Sequence, residues 1–265
     1  MKAMILAAGL GTRLRPLTQS TPKPLLPVAG IPLLGWNILL LRRHGLTDII
    51  VNVHYLADQI QQAFGDGSSW GVRLSYSFET TLLGTGGGIK QVEDFFEGKP
   101  FVVVNGDTLL DLNLTAMVAH HRARGGIATM ALRDDPHVER WGVVETDAQS
   151  RVVTILGQGR SPASRHATVY RRMFAGAHVM DPLFLHKVPK GVPSSIIEAY
   201  IGWLQQDAGI WGYPFSGYWS DIGTPERYAQ VQEDVKAGIL RLSWPEGSSN
   251  EISISGERPS PTHPE

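Results

Sequence analysis

A glycine-rich loop that carries three cationic side chains lies near the start of the chain. Gly9 and Gly11 permit close backbone approach, so their amides can face phosphate oxygens. Arg13 and Arg15 add guanidinium groups that suit phosphates, and Lys23 stands between two prolines as a compact charge. Because three cations so close together repel one another unless an anion binds, this loop predicts a phosphate site.

Two aspartates stand where a ligand site is expected. Asp107 comes shortly after the apolar run 101–104, at the carboxyl end of a predicted parallel strand, which is the edge where open α/β sheets bind ligands. Asp221 precedes a predicted helix over 224–237. Taken singly, Asp107 can also be a turn former and Asp221 a helix-entry acid, so either residue alone leaves two interpretations open.

Motifs of three other enzyme classes fail on spacing or context. A dinucleotide fingerprint needs glycine where Leu14 stands, and the residues about 20 positions after Gly9 include no acid, which argues against an NAD-dependent dehydrogenase. A Walker A loop needs glycine where Glu93 stands. The G-x-S-x-G pattern over 67–71 lies between a predicted helix and a predicted strand, the reverse of the order in a serine-hydrolase elbow.

The elements that must position these residues alternate between strand and helix in the first half. Short apolar runs predict strands over 3–6, 48–53, 72–78, 101–104 and 127–132. Helical spacing predicts helices over 33–44, 57–64, 86–96 and 114–124. Strands separated by helices of this length predict an α/β fold with a mostly parallel sheet.

The second half changes character and is predicted to be richer in strands. Strands are expected over 142–145, 152–156 and 172–179, with later helices over 194–204 and 224–237. Thr224 can cap the last helix, with Pro225 at its first position. We expect one domain over 1–241, and the Ser-, Pro- and Glu-rich stretch 242–265 is expected to be a disordered tail.

Composition excludes several classes of protein. The chain has 265 residues, with 24 Lys and Arg, 25 Asp and Glu and a net charge of -1, so a nucleic-acid binder is not expected. It contains no cysteine, which excludes disulfides and thiolate metal sites and suits a cytoplasmic protein. Its longest strongly apolar stretch, 31–41, is shorter than the roughly 20 residues that span a bilayer, so no membrane is expected.

The motif G-x-G-T-R-x-R-P-x-T, followed by P-K-P, resembles the signature of the sugar-1-phosphate nucleotidyltransferases. The similarity runs from Met1 to about Gly238 and includes L-G-T-G-G-G over 83–88 and W-S-D-I-G-T-P over 219–225. The resemblance implies a mostly parallel, Rossmann-like sheet flanked by helices, with a smaller inserted sugar-binding β region. No hexapeptide repeat of a β-helix acyltransferase domain is found.

The resemblance also implies roles for residues that match the family motifs. The nucleotide would bind at Leu6, Ala8, Gly9, Gly11, Thr12, Arg13, Glu79, Gly84 and Thr85. Arg13 and Lys23 would neutralise charge at the reacting phosphates, and Asp107 and Asp221 would jointly hold Mg²⁺, whose hard-oxygen preference they satisfy. Gly142, in a looser match to the family's G-V strand, would approach the sugar.

The chain departs from the family pattern on the sugar side. Many members carry E-K-P, whose lysine meets the sugar phosphate, whereas residues 156–160 read L-G-Q-G-R. Arg160 could replace that lysine, although no motif fixes its place. Many members also carry N-A-G where residues 174–176 read F-A-G. The identity of the sugar therefore stays open.

The implied reaction joins an NTP and a sugar 1-phosphate to give an NDP-sugar and pyrophosphate. Glu79 lies five residues before Gly84, where the family places a side chain against the base. A carboxylate accepts two hydrogen bonds at once, and guanine offers two adjacent donors, which favours GTP with mannose- or heptose-type 1-phosphates. UTP with an N-acetyl amino-sugar 1-phosphate such as N-acetylmuramic acid 1-phosphate is the alternative.

Two more functions share features of this sequence. A catalytically silent subunit that only binds a nucleotide sugar would not need two metal-binding aspartates. A phosphocholine cytidylyltransferase shares the opening motif but needs an aromatic cage for its trimethylammonium group, which the sequence does not locate. A homo-oligomer is compatible with the sequence.

Overall fold

The computed structural model describes residues 1–159 and 168–240. Its strands are β1 (Ala3–Leu6), β2 (Pro27–Val28), β3 (Ile31–Pro32), β4 (Asp48–Val53), β5 (Arg73–Phe78), β6 (Phe101–Asn105), β7 (Thr108–Leu110), β8 (Ala128–Arg133), β9 (Val143–Thr146), β10 (Val152–Ile155), β11 (Gln158–Gly159), β12 (Tyr170–Met180), β13 (Ile210–Pro214) and β14 (Trp219–Asp221). Its helices are α1 (Leu33–Arg43), α2 (Ala57–Phe64), α3 (Gly84–Gln91), α4 (Leu114–Arg124), α5 (Ile196–Leu204) and α6 (Pro225–Lys236).

A parallel core of four strands organises the first half of the chain. Strand β1 lies between β4 and β6, with Ala3 opposite both Ile49 and Val102, and β5 extends the parallel order beyond β4. The carboxyl ends of these strands therefore lie along one edge. The prediction of a mostly parallel core flanked by helices is confirmed here.

Helices cover both faces of this sheet, as the alternation of side chains along β1 shows. Ile5 packs into a cluster with Leu34 of α1 and Met117 of α4. Met4 points to the opposite face, into a cluster that includes Ile89 of α3 and Tyr200 of α5. Successive residues of a strand face opposite sides, so a four-residue strand without polar side chains is suited to a core buried on both faces.

The second half adds antiparallel strands to the same ten-stranded sheet. The long strand β12 pairs with β9 through Tyr170–Met173 and with β6 through Ala177–Met180. Strands β10 and β11 follow β9 in antiparallel order, and β8 and β13 pair with each other in parallel. The predicted smaller β region thus continues the main sheet, because β12 is long enough to pair with both halves.

A small antiparallel ribbon, β7 and β14, stands outside the main sheet. It places Asp221 opposite Thr108, and Ile222 donates its backbone N–H to the carbonyl of Asp107 at 2.9 Å. Ile222 is fully buried with Leu14 of the glycine-rich loop and Val231 of α6. This shared apolar cluster fixes the opening loop, the ribbon and the last helix relative to one another.

The sequence located most of the longer elements but not six strands, of which β2, β3 and β11 have only two residues each. The helix expected over 86–96 is α3 followed by a separate short turn over Glu93–Phe96, and β7, β13 and β14 were not predicted. The predicted cap is present, since the Thr224 hydroxyl accepts the Arg227 N–H at 3.4 Å. No helix in the described ranges is both long and apolar enough to cross a bilayer. The 242–265 tail lies outside the described residues.

Candidate functional site

A cavity of about 490 Å³ opens at the carboxyl ends of β1, β4 and β6. Every residue predicted to bind nucleotide lines it: Leu6, Ala8, Gly9, Gly11, Thr12, Arg13, Glu79, Gly84 and Thr85. Lys23 and Asp107 line it as well. The parallel sheet thus gathers one loop near residue 10 and another near residue 84 around a single space, as expected for the ligand edge of an open α/β sheet.

The opening loop is shaped by Gly11 and leaves room at Gly9. Gly11 has φ +63°, and a Cβ there would lie 3.1 Å from Thr18 Cγ2 and 3.2 Å from Lys23 Cβ. The Thr18 hydroxyl closes the loop by donating to the Gly11 carbonyl at 2.8 Å. A Cβ on Gly9, by contrast, would meet no protein atom within 4 Å, so its missing side chain widens the cavity itself.

The second glycine loop is pressed against the backbone that precedes α5. Gly84 has φ +68°, and a Cβ there would lie 2.6 Å from the Ser194 carbonyl oxygen. The Gly86 N–H donates to that same oxygen at 2.9 Å, and the Ile196 N–H donates to the Thr85 hydroxyl at 2.9 Å. Glycine at position 84 is therefore required by contact with protein backbone, whatever ligand the loop holds.

We expect Gly84→Ala to destabilise the chain more than Gly98→Ala does. Both glycines have a positive φ, +68° and +64°, but a Cβ on Gly98 meets no atom within 4 Å. Both substitutions therefore introduce similar backbone strain, but only alanine at position 84 collides with the Ser194 carbonyl oxygen. This collision should lower the free energy of unfolding by about 1–3 kcal/mol more in Gly84→Ala than in Gly98→Ala. Urea unfolding of both variants measures the difference, and equal losses would show that the 83–86 loop moves freely away from Ser194.

Glu79 links three parts of the cavity wall. It is 5% exposed, and its Oε1 accepts the side-chain amide of Asn52 at 2.7 Å while its Oε2 accepts the Leu83 backbone N–H at 2.9 Å. The Asn52 Oδ1 in turn accepts the Ala7 N–H at 2.8 Å. Glu79 thus connects β4, the end of β1 and the second glycine loop, in addition to lining the cavity.

Two carboxylates meet at the mouth of the β7–β14 ribbon, each beside a cationic side chain. Asp107 Oδ2 lies 2.8 Å from Lys23 Nζ, and Lys23 is only 9% exposed. Asp221 Oδ1 forms an ion pair with Arg227. Burial and the negative charge of Asp107 raise the pKa of Asp221, against the opposing effect of the neighbouring cations.

The donor set suits Mg²⁺ shared with a phosphate group. Burial is the larger cause of the raised pKa of Asp221, and the negative charge of Asp107 raises it further. A divalent cation would relieve the repulsion between the two carboxylates. In the described ranges no group of three or more His, Cys, Asp or Glu side chains could hold a metal. Two protein carboxylates with phosphate oxygens and water completing the shell are the usual arrangement for Mg²⁺ at phosphate substrates.

Gly142, the one predicted sugar residue that lies in the described ranges, does not line this cavity. Gly142 has φ +86° and lines a separate cavity of about 330 Å³ with Glu139, Glu145 and Arg171. Arg160 lies outside the described residues. Trp141, directly before Gly142, is connected to Asp221 through Arg227, whose guanidinium carbon lies 4.8 Å from the centroid of the Trp141 ring and whose guanidinium pairs with Asp221.

Sequence reasoning missed Asn52, Trp141 and Arg227 as parts of the site. Asn52 lies near the carboxyl end of β4, so its position at the ligand edge was a usable signal. Arg227 and Trp141 belong to segments that pack together only in the folded chain, with the guanidinium carbon 4.8 Å from the indole centroid. No local spacing marks that contact.

Curated relatives match this chain along most of its length. It is 39% identical over 204 residues to a UTP–glucose-1-phosphate uridylyltransferase of Synechocystis, covering 72% of this chain and 52% of the relative. It is 37% identical over 235 residues to an N-acetylmuramate α-1-phosphate uridylyltransferase of Neisseria meningitidis, covering 88% and 97%. A mannose-1-phosphate guanylyltransferase of Mycobacterium tuberculosis is 34% identical over 239 residues, covering 89% and 65%.

The chain thus spans about half to two thirds of the Synechocystis and Mycobacterium relatives. Among solved structures, HddC from Yersinia pseudotuberculosis complexed with GMP-PN superimposes with a TM-score of 0.73 at 25% identity, covering 88% of this chain and 99% of HddC. The sequence profile of the nucleotidyl transferase family matches residues 2–238, which include both glycine loops, both aspartates and the helix that follows Asp221. On this match and these identities, the chain belongs to the nucleotidyl transferase family.

Proposed function

We propose that this protein transfers a nucleotidyl group from an NTP to a sugar 1-phosphate, releasing pyrophosphate. The observation that carries the proposal is the pairing of Lys23 with Asp107 inside the cavity, with Asp221 brought against them by the ribbon. A protein that only bound a nucleotide sugar would gain nothing from two neighbouring carboxylates that repel each other. The relatives named above carry sugar-1-phosphate nucleotidyltransferase names, which supports the same function.

Different parts of the cavity would bind the triphosphate and the base of the nucleotide. Amides of the opening loop, with Arg13, would hold the triphosphate, since backbone N–H groups and guanidinium forks suit phosphate oxygens. The base would lie toward Glu79 and Gly84, at the other end of the cavity lining. Lys23 would neutralise charge on the reacting phosphates from a fixed position, since it is buried and held between Pro22 and Pro24.

The chemistry needs positioning and charge neutralisation more than proton transfer. An oxygen of the sugar phosphate attacks the α-phosphorus in line, the bond to the β-phosphate oxygen breaks, and pyrophosphate leaves. The nucleophile is already anionic near neutral pH, so no general base is needed. Mg²⁺ held by Asp107 and Asp221 would supply Lewis-acid stabilisation of the α-phosphate charge. Catalysis then rests on alignment and on preorganised charge.

A grid of NTPs against sugar 1-phosphates, scored by pyrophosphate release with and without Mg²⁺, tests the proposal. We expect at least one pair to turn over, and only with Mg²⁺ present. Nucleotide-sugar binding without pyrophosphate release from any pair would instead identify a silent binding subunit. The grid should include glucose, mannose, heptose and N-acetylmuramic acid 1-phosphates.

For the base we propose guanine, on the chemistry of Glu79. Its two oxygens each accept one bond from the protein, from Asn52 and from the Leu83 N–H, and each carboxylate oxygen has capacity for a second. The adjacent N–H and amino donors of guanine match two such acceptors, whereas uracil presents a carbonyl on either side of its N–H. GTP with a mannose- or heptose-type 1-phosphate is therefore our finer proposal.

UTP with an N-acetyl amino-sugar 1-phosphate is the second candidate, and a specific observation favours it. The Neisseria relative is an N-acetylmuramate α-1-phosphate uridylyltransferase that is matched along 97% of its length. The guanylyltransferase of Mycobacterium and the HddC complex with GMP-PN favour guanine. The ratio of kcat/KM for GTP to that for UTP decides between the two.

Glu79→Gln should reduce any preference for GTP over UTP by about tenfold or more, since a bidentate contact to a base is worth roughly 1–3 kcal/mol. The amide places a donor where the carboxylate accepted, so it also leaves one of the two internal donors unsatisfied. Asn52→Ala is the control, because it breaks the same network without changing the acceptors that face the base. A tenfold preference of the wild type for UTP, or a preference unchanged by Glu79→Gln, would remove the guanine proposal.

A further inference from the structure

Arg227 is a cation of the site that neither the nucleotide cavity nor the sequence motifs account for. It lies in the first turn of α6, where its N–H is capped by the Thr224 hydroxyl. Its guanidinium pairs with Asp221 Oδ1. Lys23, Arg13 and Asp107 line the nucleotide cavity, whereas Asp221 and Arg227 stand outside its lining.

Aromatic packing holds Arg227 in place independently of Asp221. The guanidinium carbon lies 4.8 Å from the centroid of the Trp141 ring. Trp141 meets Trp219 edge-on at 4.8 Å, and Trp219 is fixed by donating its indole N–H to the Ala175 carbonyl at 3.0 Å. A guanidinium stacked on a fixed indole therefore keeps its position when one ion-pair partner is lost.

A divalent cation bound at Asp221 would compete with Arg227 for the charge of this carboxylate. The guanidinium occupies Oδ1 of Asp221, one of the two carboxylates that suit Mg²⁺. When that carboxylate serves a metal instead, the N–H donors of Arg227 are released beside the site while the stack on Trp141 retains the side chain. A guanidinium with free donors next to a phosphate-transfer site is suited to a phosphate oxygen.

We propose that Arg227 binds the phosphate of the sugar 1-phosphate, and that it exchanges Asp221 for this phosphate when Asp221 holds Mg²⁺. The inference rests on the proposed function, which requires two anionic substrates. The triphosphate would be bound inside the cavity by the opening glycine loop, Arg13 and Lys23. The phosphate of the second substrate would be bound by Arg227, which lies outside the cavity lining. Metal binding and binding of the second substrate are thereby coupled through one side chain.

If Arg227 exchanges Asp221 for phosphate, Arg227→Gln should change the affinities for Mg²⁺ and for phosphate in opposite directions. In Arg227→Gln, Mg²⁺ no longer displaces an ion pair, so the nucleotide-free chain should bind Mg²⁺ about tenfold more tightly by calorimetry, as expected for a half-buried pair. Inorganic phosphate, used as the anion probe with Mg²⁺ present, should bind about tenfold more weakly. Lys236→Gln removes one positive charge from the exposed end of the same helix and should change neither affinity.

Kinetics supply a second measurement. With the substrate pair selected by the grid, Arg227→Gln should raise KM for the sugar 1-phosphate at least tenfold and leave KM for the NTP within about twofold. Arg227→Lys keeps the charge but loses the planar stack on Trp141, so it should recover part of the phosphate affinity. It also serves as the second variant if Arg227→Gln fails to fold, because both measurements apply to it with smaller shifts of the same signs.

The two proposals fail in different ways. An unchanged or weaker Mg²⁺ affinity in Arg227→Gln overturns the exchange at Asp221, and an unchanged phosphate affinity overturns the role of Arg227 in binding the second substrate. A parallel loss of both affinities would mean that Arg227 only anchors α6. Absence of pyrophosphate release from every pair in the grid contradicts the proposed function instead, and leaves the Mg²⁺ titration interpretable.

Discussion

Asp107→Asn is expected to lower turnover at least a hundredfold at saturating Mg²⁺ while leaving the fold intact. The asparagine oxygen can still accept from Lys23 Nζ, which lies 2.8 Å from the carboxylate, and the Asp107 carbonyl still receives the Ile222 N–H. The substitution removes the negative charge of the side chain. Even the loss of a group that only supports a metal ligand lowers metal affinity or activity by about 10- to 100-fold. Steady-state pyrophosphate release measures the loss of turnover, and thermal unfolding of the same variant tests whether the fold is intact.

Asp111→Asn is the matched control for this experiment. Asp111 directly follows β7, its side chain is exposed and it pairs with Arg43 at 3.5 Å, so its loss should change turnover less than about twofold.

Asp221→Asn should lower turnover as Asp107→Asn does. The double variant should lose much less turnover than the product of the two single losses, because both residues would act through one ion. Near-normal turnover of Asp107→Asn would exclude Asp107 from the metal site.

Lys23→Ala is expected to lower turnover about 100- to 1000-fold and to weaken NTP binding, since it removes a buried, preorganised charge from the cavity. Lys23→Met separates charge from packing, because methionine keeps an unbranched apolar side chain in this buried position whereas alanine removes it. The two variants should therefore share the loss of turnover, while Lys23→Met keeps more of the stability.

Lys23→Arg should recover only part of the activity. The residue lies between two prolines and begins the short helix Lys23–Leu25, so a planar guanidinium cannot place its charge where the compact ammonium lies. Arg13→Ala should weaken triphosphate binding as well. If the alanine variants at both positions bind NTP as tightly as the wild type, the opening loop has a structural role and our assignment of its cations is wrong.

Most of the fold follows from local patterns, and the strands that the sequence did not predict are either very short or contain a residue that argues against a strand. Residues 3–6 and 48–53 form strands as predicted, because both are short, largely apolar and buried on two faces. Strands β7 and β14 have three residues each, too few for a period of two to be recognised. Strand β13 ends in Pro214, a residue type that signals against strand.

The candidate site divides in the same way between motif and packing. The glycine loops and the two aspartates could be identified from the sequence because each belongs to a motif of a recognisable family. The double role of Glu79 could not, since its partner Asn52 meets it only when β4 and β5 lie side by side. The contact of Arg227 with Trp141 likewise joins the last helix to a distant loop.

On the proposed function, the β7–β14 ribbon would make activity a report on completed folding. A chain that folds from its amino end can pair the strands of the parallel core before residue 221 has been synthesised. The opening glycine loop gains its apolar partners Ile222 and Val231 only after that point. Asp221 likewise reaches its place opposite Thr108 only when β14 pairs with β7. The proposed reaction would therefore wait for the end of the chain, while a nucleotide that bound the partly assembled site would stabilise it as a folding ligand.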